Sequence, residues 1–575
     1  MLENNKDKVH ISKNKYFIPT ILMIIYIFIA IIITVVVKIS MTTENENVSI
    51  STNSGEEAFL NGKYDMAISE YNLLQEEEEW PIWNLKISEI YSVEGDYKKS
   101  NELIQKVYDT RNRIIDTENI NLDDFEEKDK ELVNGIVFNS FMNGEYKKAL
   151  EYGEFFMQSY PDDVNLLKNM FSIYIANNEM DKANKIIEEI NSHDLVTAAK
   201  MNLLIGKYEE GLKQLESVFE SDENNVNIFD AIEDSARYNK TNIINAINKL
   251  KDKEAKKSVY ELFLAKVYSI NSDDILKSQE IVDKLGEDYS ENTNYLFIKM
   301  KMSVEQGDNK ETEKVLDEIS QLNEGNFISE YAESLKLYYE GKYDDALKAA
   351  KKSILLNEDY SKTYSSLIPS ILLAQNKQAE EESYLRTALR MEPFNFSNII
   401  TTAEYYMDIM QDSSKGLYYY TLASGLNPKN SDVYYKMALI QYKNQRVDEA
   451  ISLLKKSISL NTKDAKYHRT LGSIYLEENK NEEGITQIRK AYEIDKDDIA
   501  TLNNASYYYI YVEHNVNRAM SNIKAAFEGI NETTSTSIKE IVTDNYNRIK
   551  VLYDSSKDTD SSNRNEVVSE VKLIY

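Results

Sequence analysis

Residues 431–464 read SDVYYKMALIQYKNQRVDEAISLLKKSISLNTKD, and residues 465–498 read AKYHRTLGSIYLEENKNEEGITQIRKAYEIDKDD. Each stretch carries two apolar stripes at helical spacing. In the first, Met437 and Ile440 lie on one stripe and Ile451, Leu454 and Ile458 on the other. A short polar break separates the stripes, around Gln445 in one copy and Asn479 in the next, and such residues tolerate a chain reversal. A single helix pair cannot bury its stripe, but stacked neighbours build a continuous core.

The break recurs outward from these copies. It passes through Gly307, Gly341, Asn376, Gln411, Gln445 and Asn479 in steps of 34, 35, 35, 34 and 34 residues. Five residues later comes a slot for small residues: Thr312, Ala346, Glu381, Gly416, Ala450, Gly484 and, after a one-residue slip, Ala519. Glu381 breaks that pattern, so its repeat is expected to be loosely packed or shifted in register. A sextet Gly-x-Tyr-x-x-small begins at Gly62, Gly95, Gly144, Gly206 and Gly341. Pro161, Pro393 and Pro428 stand seventeen residues past the break, where they end a second helix.

Period, helix–turn–helix content and slots together resemble the tetratricopeptide repeat (TPR) family. Leu471-Gly472, Tyr475, Gly484 and Ala491 sit where that family places packing residues. The resemblance is strong over 327–530, recognisable over 55–220 and degraded over 221–306. It implies an all-α solenoid of roughly thirteen stacked helix–turn–helix units, and an uncharged run ahead of them predicts one N-terminal transmembrane helix.

That helix is expected at 16–38, because Tyr16 to Val37 is an uncharged run of 22 residues bounded by Lys15 and Lys38. Lys6, Lys8, Lys13 and Lys15 precede it, and Glu44, Glu46, Glu56 and Glu57 follow. The lysine asymmetry predicts a single-pass cell-membrane protein with its N-terminus cytoplasmic and its repeats extracytoplasmic, and with the repeats the chain resembles a membrane-anchored TPR protein of bacterial type. The organisation then reads as a cytoplasmic tail 1–15, the transmembrane helix 16–38 and a polar tether 39–54. Acidic repeats at 55–220, degenerate repeats at 221–306 and regular repeats at 307–530 follow, with a capping helix 531–553 and a polar C-terminal tail 554–575.

Charge narrows the partners. The chain has 67 Lys+Arg against 97 Asp+Glu, a net charge of −30, which argues against nucleic acid. Most of that excess lies before residue 320, so the acidic half reads as a solvated stalk and the near-neutral later repeats as the binding part. With no cysteine, disulfides and thiolate metal sites are excluded. None of the four histidines has a carboxylate or second histidine three or four residues after it, and no phosphate loop or nucleophile elbow occurs. The acidic clusters lack the alternating oxygens and central glycine of a calcium loop. No enzyme activity, cofactor or metal is expected.

A binding surface is what remains. The family resemblance implies a concave groove lined by the first helix of each unit. Carried over by register, it offers Tyr331, Tyr338, Asn398, Tyr405, Tyr435, Tyr442, Arg469, Asn503 and Tyr507, with Ser473, Glu477 and Tyr511 beside them. Tyrosine and asparagine suit an extended peptide or a glycan. The lysine, asparagine and arginine set that clamps a terminal carboxylate in some family members is missing at matching positions. The expected function is a membrane-anchored scaffold for protein or peptide clients, in envelope or surface-polymer assembly, with the bilayer contacted through the anchor. The alternatives are a direct glycan or cell-wall binder, and a regulatory subunit with a cytoplasmic repeat array.

Overall fold

The breaks in the repeat rhythm are left-handed turns. Gly307, Gly341, Asn376, Gln411, Gln445 and Asn479 all have φ between 55° and 76°, as positive as at Gly62, Gly95, Gly144 and Gly206. Asn178 and His514 hold the same conformation at 62° and 52°. Each residue lies just past the end of a first helix, where a left-handed residue lets the chain reverse and satisfies the last free carbonyls. At Gly341, for example, the amide donates to the Tyr338 carbonyl and the Lys342 amide to that of Leu337.

In the computed structural model, residues 48–118, 125–253, 257–286, 288–557 and 571–575 are described. The chain divides into two units, 1–50 and 51–575, and the helices of the described residues belong to the second. Among the described residues the regular structure is entirely helical, running from Ser54–Leu60 to Thr536–Ser555. Antiparallel pairs such as Ser431–Lys443 with Val447–Leu460, and Ala465–Glu477 with Asn481–Ile494, stack in sequence as repeated helix–turn–helix units. The small slot sets how closely the helices of a pair approach. A Cβ on Gly484 would fall 2.7 Å from Leu476, and one on Gly416 would fall 2.5 Å from Met407. Ala346, Ala450 and Ala519 fill the same slot fully buried.

The irregular steps have a local cause. The two 35-residue steps ending at Asn376 and Gln411 each contain a π-helical turn, Thr363–Leu367 and Tyr405–Ile409. A π turn holds one extra residue without breaking the helix. In the degenerate region the chain runs through one long helix, Val226–Lys253, kinked at Asn239 where φ is −135°.

Glu381 departs from the expectation of loose packing. Its helix, Gln378–Met391, is buried continuously from Glu381 to Leu389. The solenoid returns onto itself there: the helix packs against Ser54–Leu60 and Ile82–Glu94, about three hundred residues earlier, and Ser413–Leu426 packs against Val164–Ala176. A helix enclosed on both sides has no solvent face on which to place its polar residues. The acidic early repeats are therefore part of a closed packing rather than a free stalk.

One expectation is corrected. The cell-membrane location rested on a span at 16–38, which lies outside the described residues. No helix among the described residues is long and apolar enough to cross a membrane.

Candidate functional site

Among the described residues, polar side chains gather inside the solenoid at several places, the closure around Gln378–Met391 and the groove of the last repeats among them. At the closure, Arg386 donates to the Asn139 Oδ1 at 2.7 Å, to the Ser92 Oγ at 3.1 Å and to Glu89 at 3.4 Å. Its guanidinium lies 4.6 Å from the Phe138 ring centre. Burial pushes the Glu89 carboxyl up, but Arg390 and Arg386 outweigh it and hold Glu89 below its ordinary value. Glu392 is likewise raised by burial and then pulled down to about 2, chiefly by Lys200 at 2.5 Å. These pairs hold the two turns together, and a polar cavity of about 840 Å³ lies beside them, lined among others by Lys86, Asn134, Lys168 and Arg390. Lys86, Lys200, Arg386 and Arg390 at this closure are each paired with a carboxylate of the chain, so the arrangement explains packing more than recognition.

The groove of the last repeats is different, because it holds a piece of extended chain. Residues Val571–Tyr575 lie without secondary structure against the helices Ala465–Glu477, Ile499–Tyr511 and Thr536–Ser555. Asn504 donates through Nδ2 to the Ile574 carbonyl at 2.6 Å and accepts the Ile574 amide at 2.8 Å. Asn545 repeats the arrangement two residues earlier, donating to the Lys572 carbonyl at 2.8 Å and accepting its amide at 2.9 Å. Asn503 adds a second donor to the Lys572 carbonyl at 2.9 Å, and the Tyr511 hydroxyl accepts the Val571 amide at 2.9 Å. The asparagines also brace one another: Asn545 donates to Asn503, Asn503 to Asn504, and Asn504 to Ser473. Such cross-bracing locks each amide in the orientation that faces a peptide unit.

Side chains of the segment find separate seats. Val571 and Ile574 join the apolar cluster of Leu502, Ile510 and Ile549, and Leu573 joins that of Leu476, Ile485, Ile488 and Tyr508. Lys572 points to solvent. The Tyr575 ring lies 5.4 Å from Tyr442, whose hydroxyl donates to Glu477. Burial, with Glu477 second, pushes the Tyr442 hydroxyl up to about 12.

Of the residues expected to line a groove, Tyr442, Asn503 and Tyr507 gather at this segment; Tyr507 stands 4.5 Å ring to ring from Tyr511 and packs against both apolar clusters. Arg469 lies on the same first helix as Ser473 but is engaged by Asp498 at 2.6 Å. The others lie elsewhere and within the packing. Tyr331 abuts Tyr360, and Tyr338 abuts Tyr339 and Tyr343. Asn398 donates to Ser361, Tyr405 to the Gln378 carbonyl, and Tyr435 faces Tyr467. Asn504 and Asn545 were missed. Asn504 falls one position off the expected register, and Asn545 lies on the capping helix, outside the repeat pattern. The run Val571, Leu573, Ile574, Tyr575 was itself a signal, an apolar cluster in a stretch expected to be a polar tail.

Among the described residues no group of histidine, aspartate and glutamate could hold a metal ion. No family model matches the chain, and no curated protein matches it. Solved structures do. Yeast Tom70 is similar at 15% identity, covering 88% of this chain and 96% of that one with a TM-score of 0.37. The Cut9 assembly with Hcn1 is similar at 13% identity over 79% and 95%, with a TM-score of 0.31. YrrB, described as a TPR protein with an unusual peptide-binding site, matches at 17% identity over 34% of this chain and 98% of its own, with a TM-score of 0.26.

Proposed function

We propose that the chain is a protein-interaction scaffold whose last repeats hold extended segments of partner proteins. The observation that carries this reading is the double amide pairing of Asn504 and Asn545 with alternate residues of an extended main chain. An asparagine amide presents one donor and one acceptor side by side, which matches the N–H and C=O that one strand residue directs to the same edge. A glycan offers hydroxyls without that fixed pair at alternate positions, so peptide is favoured over sugar. The apolar seats beside the asparagines supply the burial, and the helices supply rigidity.

A photo-crosslinking residue in place of Tyr507, in the native cell, tests the reading. Adducts with other proteins are expected at this position, and an excess of a peptide spanning residues 569–575 is expected to suppress them. Adducts that persist undiminished under that competition would place the interaction outside the groove.

A further inference from the structure

We infer that Val571–Tyr575 is a displaceable intrachain ligand, and that the partner it competes with carries the same pattern: aliphatic, any residue, aliphatic, aliphatic, aromatic. This rests on the reading of the groove as a peptide site and adds its specificity and its regulation.

The bonding of the segment is the first ground. Among the described residues, no backbone-to-backbone hydrogen bond ties Val571–Tyr575 to the repeats. Its main-chain amides and carbonyls are held by side chains, those of Asn503, Asn504, Asn545, Ser473 and Tyr511. Main-chain groups are common to every peptide, so nothing in this clamp is particular to residues 571–575. Another extended segment can take over each bond without rearranging the repeats.

Selectivity comes from the side chains. Val571, Leu573 and Ile574 are buried, at 4%, 8% and 6% exposure, whereas Lys572 is exposed. The groove therefore requires aliphatic residues at three positions and is indifferent at the second. At the fifth, Tyr442 presents a ring face and Glu477 an acceptor, which select an aromatic residue with a hydroxyl.

Covalent connection makes the segment a competitor. Thirteen residues separate Lys557 from Val571. A tether of that length gives an effective concentration on the order of millimolar, far above that of a second copy of the chain at micromolar levels. A partner arriving from outside must overcome that occupancy, so its apparent affinity is lowered by the fraction of grooves left empty.

The test uses a fluorescein-labelled peptide of residues 566–575, titrated by anisotropy into three proteins. These are the full chain, the chain lacking residues 571–575, and the full chain with a protease site placed within 561–566 and cleaved after folding. Helical circular dichroism checks that each is folded; the cleaved protein covers the case in which the deletion variant fails to fold. The expected result is binding at least ~10-fold tighter to the deleted or cleaved protein than to the full chain. Equal binding to all three would overturn the intrachain competition while leaving the peptide groove standing. Binding to none of them, with helicity intact, would overturn the groove reading itself. Dimers of the full chain that dissolve when 571–575 is removed would reassign the segment to exchange between copies, against the intrachain assignment.

Discussion

Asn504 holds Ile574 by both of its main-chain groups, donating to the carbonyl at 2.6 Å and accepting the amide at 2.8 Å, while its own second N–H goes to Ser473 at 2.7 Å. The side chain is fully buried, so removing it strands the main-chain groups it serves.

Asn504→Ala is expected to free the segment without unfolding the repeats. Leaving buried groups unpaired costs about 1–3 kcal/mol, which corresponds to roughly 5- to 150-fold faster exchange at the Ile574 amide. Hydrogen–deuterium exchange of the full chain measures this. Protection at 574 equal to the wild type would show that the apolar seats alone hold the segment.

Arg386 is expected to be far less replaceable than the surface arginines. It is 2% exposed and joins Asn139, Ser92 and Glu89 across the closure. Arg386→Met leaves Glu89 buried with only Arg390 at 2.9 Å. The expected loss is about 3 kcal/mol, the lower end for breaking a buried pair, because one partner remains. Arg386→Lys is expected to restore little, since one ammonium cannot reach three acceptors in a planar fork. Thermal melts of the two variants decide it, and a lysine variant as stable as wild type would contradict the assignment.

Glu381 should make stability depend on pH near neutrality. Burial raises its carboxyl from 4.5 to about 7, and one carboxylate oxygen has no hydrogen-bond partner. A group whose folded pKa is raised favours the folded state while protonated, so its contribution is full below about 4.5 and is lost as the pH rises through about 7. Glu381→Gln, neutral throughout, is therefore expected to gain on the wild type between those values and to keep a constant advantage above them. Melting temperatures at pH 5 and pH 8 check the sign. A gap between variant and wild type that does not widen with pH would rule it out.

The left-handed turns allow a paired substitution test. Gln445 is exposed and holds φ at 62°, and Gly341 holds 76° with no atom within 4 Å of an added Cβ. Gln445→Gly is expected to stabilise by about 1 kcal/mol, because a side chain in that conformation is strained. Gly341→Ala is expected to destabilise by a similar amount through backbone strain alone. Urea unfolding midpoints of both variants measure the effect; shifts of the same sign would refute it.

The repeat rhythm was legible because its causes are local. Gly341, Gln445 and Asn479 end one helix each, and Ala346, Ala450 and Gly484 let the two helices of one pair approach. Both requirements return every 34 residues and leave their mark on the chain. The two 35-residue steps were visible as numbers, and the structure supplies their meaning as π turns at Thr363–Leu367 and Tyr405–Ile409. The groove was half legible: Asn503, Tyr507 and Tyr442 follow from register along the first helices. Asn545 does not, since it lies on the closing helix outside the repeat pattern.

By itself, the sequence determined the helix pairs, their turns, their close-packing slots and the order in which neighbours stack. Only the tertiary structure decided that the solenoid returns onto Gln378–Met391 and that residues 571–575 occupy the last groove. The first depends on small rotations summed over many repeats, which bring Arg386 to Glu89, 297 residues apart. The second depends on where a separate segment meets two asparagines that stand on different helices. Neither relation repeats along the chain, so no period records it.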